Sequence, residues 1–220
     1  MQQDGPQLTR KLLSGSDFRK LTAIDNPALH AFVADAIALC EPERVFVCDD
    51  SPEDIKLIRE QALACGEERP LKIPGHTVHF DEITDQGRDR DVTRYLVPAE
   101  ETLSKALNQI GREEGLSEVR GLLKGSMKGR TMIVRFLTLG PTNSVFSVPC
   151  VQCTDSYYVA HSEELLYRPG YEEIRREGRK AQCFHFLHSA GKLDEHMASA
   201  EPEKKRIYIG FEGSGTQLVS

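Results

Sequence analysis

No run of the 220-residue chain comes near about 18 consecutive apolar residues, the length at which a helix can cross a bilayer, so no membrane-spanning helix is expected. Positive charge is not in excess either. The 28 lysines and arginines stand against 34 aspartates and glutamates, a net charge of −6, which leaves no electrostatic footprint for nucleic acid. Cysteine is sparse and irregular: Cys40, Cys48, Cys65, Cys150, Cys153 and Cys183 do not make a disulfide framework, and reduced, mostly buried thiols are expected. Met1 to Arg10 is polar and lacks the basic-then-apolar order of a secretory signal, which points to the cytosol. There is no GxSxG elbow to present a nucleophilic serine and no HExxH pair for a metalloprotease. Internal repeats and low-complexity segments are missing as well.

What is present is the balance of a globular protein, 39% apolar and 28% charged, in a length that suits one large domain or two small ones. Residues 1–16 read as a loose polar arm, and 17–220 as a single domain. Asn26-Pro27 supplies a cap and a first helical position, followed by Leu29, Phe32, Val33, Ala36, Ile37 and Cys40 at helical spacing. Val45 to Cys48 is a short apolar run of the buried-strand kind, and Ser51 caps a second helix that stops at Gly66. A strand followed by a capped helix is the building unit of an α/β layer, so the predicted fold class is α/β, a mixed α+β sheet with helices packed on it.

The remaining pattern predicts strands at Leu71–Ile73 and around Val78, a helix over 98–112, and a short segment opening at Ser117 and running to Leu123. Met132 to Leu139 and Val145 to Cys153 read as strands joined by a Gly140-Pro141-Thr142-Asn143 turn, with Tyr157 to Val159 as a further β-rich piece. Ser162 opens a helix interrupted at Pro169-Gly170. A second helical piece covers Tyr171 to Lys180, and Ile207–Ile209 with Leu218-Val219 form a final hairpin.

Five clusters invite a chemical reading. Asp85 to Arg94 is the densest charge cluster. Its bland reading is a solvated loop of paired ions, and its functional reading is a carboxylate or phosphate clamp built from guanidinium forks. The basic glycine loop Lys124 to Arg130 is followed by a β-rich run, so no helix N-terminus is aimed at it and nucleotide binding is not expected there. Gly210 to Gly215, between two strand runs, is more economically a hairpin turn. Cys150, Cys153, His185 and His188 spell a Cys2His2 zinc site on paper, but the span between the two pairs far exceeds that of a compact finger. His76 and His79 fall on opposite faces of an alternating run and make a poor ligand pair.

Lys128-Gly129-Arg130-Thr131-Met132, with Gly140-Pro141, Thr154-Asp155-Ser156 and Tyr158-Val159 in order, resembles phosphoenolpyruvate carboxykinase of the GTP-type and related pyrophosphate-type lineage. Gly15-Ser16-Asp17-Phe18, Val47-Cys48-Asp49, Asp91-Val92-Thr93-Arg94 and Leu187 to Gly191 agree in order, so the likeness spans nearly the whole chain. The resemblance implies the N-terminal domain of an enzyme that interconverts oxaloacetate and phosphoenolpyruvate plus CO2. It also implies Arg94 as a substrate-binding residue, no catalytic or metal-binding residue within these 220, and Mn2+ or Mg2+ with GTP or pyrophosphate on a C-terminal catalytic domain. The apolar ending Gln217 to Ser220 reads as a cut just before that domain, and the chain alone is expected to be inactive. His161 to Arg168 and Leu96 depart from the usual GTP-type pattern and lean toward the pyrophosphate-type or another divergent branch. Two rivals are a freestanding, non-catalytic module that binds an anion through Arg88, Arg90 and Arg94 or a partner through a sheet edge, and a zinc-binding regulatory domain.

Overall fold

A computed structural model describes residues 11–80, 92–191, 207–210 and 217–219. Helix α1 (Gly15–Thr22) starts at Ser14, whose Oγ accepts the Asp17 N–H at 3.1 Å. Helix α2 (Pro27–Cys40) is capped by Asn26 and buries Leu29, Phe32, Val33, Ala36, Ile37 and Cys40, the set its spacing predicts. Strand β1 (Arg44–Val47) leads into α3 (Pro52–Ala64), capped by Ser51. A small hairpin, β2 (Arg69–Pro70) with β3 (Thr77–Val78), stands apart from the main sheet. Then come β4 (Thr93–Val97), β5 (Gln109–Gly111), α4 (Arg112–Leu123), β6 (Thr131–Leu139) and β7 (Val148–Thr154). The remaining elements are α5 (Tyr157–Leu166), β8 (Arg168–Pro169), α6 (Tyr171–Glu177) with a 3-10 turn over Gly178–Lys180, β9 (Phe184–Leu187), β10 (Ile207–Gly210) and β11 (Gln217–Val219).

Among the described residues the main sheet has the order β1-β6-β7-β9-β11-β10-β4-β5, with β8 on the β1 edge of β6. Pairing is parallel for β1–β6, β7–β9, β9–β11, β10–β4 and β4–β5, and antiparallel for β6–β7 and β10–β11. A mixed sheet buried on both sides needs apolar residues on both faces of its central strands, which β6 supplies. Met132, Val134 and Phe136 join one core with helices α1, α2, α4 and α6, while Ile133 meets Cys48, Ile58 and Ala160 beneath α3 and α5. Burial of a side chain such as Phe136 or Ile133 contributes about 1.5–3 kcal/mol. The α/β class holds.

Several local expectations change. The loose arm expected over 1–16 does not extend to its last residues, because Leu13 is buried and bridges to Val45, and Ser14 already caps α1. Leu71 and Ile73 lie in the exposed loop of the β2–β3 hairpin instead of a strand. The helix expected over 98–112 begins only at Arg112. Before it, the Gln109 side chain accepts the Leu103 N–H at 2.7 Å and donates to the Leu103 and Ser104 carbonyls, which folds 103–109 into a turn. Ser117 is inside α4, not at its start. Tyr157 to Val159 is helical because Ser156 accepts the Val159 N–H at 3.1 Å: a side-chain cap overrides three β-favouring residues. Val145 and Phe146 are exposed loop residues preceding β7. The final hairpin forms as the β10–β11 pair, and its glycine turn lies outside the described residues, as do Arg88 and Arg90.

Candidate functional site

Strand direction determines which residues share a rim of the sheet. The starts of β6, β10 and β4 and the ends of β7, β9 and β11 lie on the same side, and one row of paired residues crosses it: Val47, Val134, Cys153, Leu187, Val219, Tyr208, Arg94. Lys128 to Thr131, Thr154 to Ser156, Leu187 to Gly191 and Arg94 therefore meet along one edge, with Arg94 three strand spacings from Leu187, about 14 Å, while Gly140-Pro141 and Cys48-Asp49 follow strand ends on the opposite rim.

Beside β7 the rim is a closed knot. The Asp155 carboxylate is fully enclosed and accepts Arg130 Nη2 at 2.7 Å, the Ser189 hydroxyl at 2.8 Å and the Ala190 N–H at 2.9 Å. Arg130 also donates to the carbonyls of Ser126 and Gly191. His188 Nδ1 lies 2.8 Å from the Thr154 hydroxyl, and burial pushes its pKa down. Ser156 donates from Oγ to Glu67 at 2.6 Å, and the Tyr158 N–H reaches the same carboxylate oxygen at 2.8 Å. Burial pushes Glu67 up against the pull of those two donors. His79 stacks on Tyr158 with ring centroids 3.5 Å apart, and its Nδ1 is 2.6 Å from the Glu67 carbonyl oxygen. Sequence reasoning missed Glu67. The available signal was a pair of acids, Glu67-Glu68, just past the Gly66 helix stop.

The basic glycine loop has a structural occupation. Gly125 and Met127 donate their N–H groups to the Leu39 and Cys40 carbonyls, which α2 leaves without partners in its last turn. Gly125 and Gly129 take φ of 67° and 74°, the left-handed region that glycine reaches without strain. Lys128 pairs with Glu41 at 3.0 Å. The donors a phosphate would need are thus turned toward a helix end.

The zinc arrangement fails on geometry. Cys150 and Cys153 are three apart on β7 and so project from opposite faces, while the His185 ring stacks on Phe32 at 4.4 Å. Among the described residues no group of three or more His, Cys, Asp or Glu side chains is placed to hold a metal ion.

Arg94 differs from the knot. It is half-buried at the second position of β4, in register with Tyr208, and its Nε is buried without a hydrogen-bond partner among the described residues. A buried guanidinium N–H left unmatched costs free energy, so it is a natural seat for an anionic ligand atom. Beneath that strand Gly115 lets α4 approach closely. A Cβ there would lie 2.3 Å from Leu96 Cδ2 and 2.9 Å from Ile110 Cγ2.

The described residues thus form a mixed α/β domain with an arginine at a strand-end rim, with no metal-holding cluster among them and with the basic glycine loop turned toward a helix end. Comparison with known proteins gives the family. The sequence profile of the phosphoenolpyruvate carboxykinase N-terminal domain matches residues 31–216. The phosphoenolpyruvate carboxykinase (GTP) of Thermococcus kodakarensis is 54% identical over 210 residues, 96% of this chain and 34% of that protein. That of Pyrococcus horikoshii is 52% identical over 91% of this chain and 32% of its own length, and that of Saccharolobus solfataricus 43% over 92% and 31%. The chain belongs to the phosphoenolpyruvate carboxykinase N-terminal domain family and spans about one third of the length of these relatives.

Proposed function

We propose that this chain is the N-terminal, substrate-binding part of a phosphoenolpyruvate carboxykinase, a carboxy-lyase that interconverts oxaloacetate and phosphoenolpyruvate plus CO2, and that Arg94 contributes a guanidinium to the substrate's carboxylate. The observation that supports this role is the buried, unmatched Nε of Arg94 on a strand of a domain whose family is known. A small dianionic acid needs a fixed fork of donors to orient it against the reacting centre, and a strand holds such a fork more firmly than a loop does.

The relatives' names give GTP as the phosphoryl donor, which weighs against the lean toward pyrophosphate drawn from His161 to Arg168 and Leu96. The described residues do not themselves fit GTP or a divalent metal: the glycine loop caps α2, and no ligand cluster forms. The family of the chain supports assigning manganese or magnesium and the nucleotide to a C-terminal catalytic domain, which would be this domain's partner. The enzyme is expected to work in the cytoplasm.

The test is Arg94→Ala in the whole enzyme that carries this segment. Losing a charge-assisted contact should lower kcat/KM for oxaloacetate about 10–100-fold with stability unchanged. An unchanged kcat/KM would remove Arg94 from the site. The 220-residue chain assayed alone with GTP and manganese should show no turnover, and robust turnover would overturn the division of labour.

A further inference from the structure

On the α5 side of the sheet lies a buried polar group that the substrate rim does not use. Arg135 and Gln152 are direct partners across β6 and β7 and are almost fully buried. Arg135 donates from Nη1 to the Ala160 carbonyl at 3.1 Å and from Nη2 to Asp50 Oδ1 at 3.3 Å. Asp50 accepts two further donors, the Gly170 and Tyr171 N–H groups, both at 3.0 Å on Oδ2. Burial pushes the Asp50 pKa up, but its three donors and the Arg135 charge pull the other way, so Asp50 rather than Glu163 is the better-supported counter-ion of Arg135.

Glu163, on the next turn of α5 after Ala160, has no such company. Its Oε1 accepts the Gln152 Nε2–H at 3.2 Å, and no donor among the described residues meets Oε2. The same is true of Gln152 Oε1. Two acceptor oxygens, one on each member of a hydrogen-bonded pair, are therefore buried without a hydrogen between them. A carboxylate and an amide cannot cure this, because the carboxylate has no donor and both amide donors sit on Nε2, whereas a carboxylic acid brings a hydrogen of its own. Charge agrees with hydrogen-bond chemistry: the pocket holds one cation, already matched by Asp50, and a second buried anion would be uncompensated.

We propose that Glu163 is a proton-binding site: its carboxyl group carries a proton at neutral pH and donates it to the Gln152 amide oxygen, closing a ring of two hydrogen bonds that ties α5 to the sheet. Burial pushes the Glu163 pKa up, opposed by the Gln152 hydrogen bond and by Arg135. The other titratable groups facing it are Cys150 on β7 and Tyr167 just past α5, both pushed up by burial and by Glu163 itself. Helix α3 and the turn after it meet α5 through other pairs, Arg59 with Glu164 and Glu68 with His161.

The sign of the pH effect follows. A carboxyl whose folded pKa is raised contributes stability that is complete below its unfolded value, about 4.3, and is lost as pH rises through the folded value. Glu163→Gln replaces the acid by an amide that donates permanently to Gln152 Oε1. At acid pH the variant and the parent should melt together. As pH rises to 7 the parent should fall behind by about 7–15 °C, the effect of one proton released on unfolding over about 2.7 pH units. Infrared difference spectra of the parent against E163Q at pH 7 should show a protonated-carboxyl carbonyl band that shifts in D2O. The 13C resonance of the Glu163 carboxyl, followed in the unsubstituted chain, should titrate above pH 7. A carboxylate band alone at pH 7, or a carboxyl resonance already ionised there, would overturn the proposal and leave a water-bridged carboxylate in its place.

Discussion

Two places along the cross-sheet row meet their charges in opposite ways. At Cys153 and Leu187 the neighbouring rim is saturated: Asp155 has three donors, Arg130 has three acceptors, and Glu67 has a hydroxyl and an N–H. At Arg94 a guanidinium N–H is buried with no acceptor among the described residues. A group whose hydrogen bonds are complete holds the fold, and a group left incomplete is available to a ligand. The family's most recognisable residues, Thr154-Asp155-Ser156 and Lys128-Gly129-Arg130, are thus the scaffold, and the less conspicuous arginine is the candidate for contact with substrate.

That contrast can be broken at either end. The largest effect should come from Asp155→Ala, which strands a guanidinium, a hydroxyl and an N–H at once. About 3 kcal/mol should be lost in urea unfolding, the low end for a broken buried pair because Arg130 is about one-third exposed. A loss under about 1 kcal/mol would show that the knot does not hold the rim. Next is Gly115→Ala, where the new methyl must displace Leu96 and Ile110. It should cost about 1–3 kcal/mol and, in the whole enzyme, disturb the strand that carries Arg94 enough to raise KM. A smaller effect belongs to His188. Its folded pKa is depressed by burial, so its stability contribution is complete above the unfolded value of about 6.5 and is lost as pH falls below it. Unfolding curves from pH 7.5 down to 5 should show that decline, and His188→Gln should flatten it. The smallest effect on stability is expected for Arg94→Ala, within about 0.5 kcal/mol, so that its catalytic loss can be read without a folding correction.

Much of this architecture was legible in advance where local chemistry and burial agree. Asn26-Pro27 and Ser51-Pro52 start helices because their side chains supply the missing acceptor, and the α2 core positions follow from periodicity alone. The expectations that failed did so where a distant or unassigned side chain intervened. Gln109 reaches back to residues 103 and 104, and Ser156 turns a β-rich triplet into the first turn of α5. The role of the basic glycine loop was hidden for the same reason, since its partners, Leu39 and Cys40, lie more than 80 residues earlier. Arg94 was identified only through family resemblance; its charge cluster alone read as a solvated loop. Glu163 and Gln152 lie on a helix and a strand that no short motif connects.

The distribution of thiols gives the chain an internal clock. Cys40, Cys48, Cys150, Cys153 and Cys183 are buried, with burial holding each in the protonated, unreactive form, and Cys65 alone is exposed, at the end of α3 two residues before Glu67. An alkylating reagent should therefore count one sulfur in the native chain and six in the unfolded one. The second through sixth modifications would then time the opening of both faces of the sheet without any added probe.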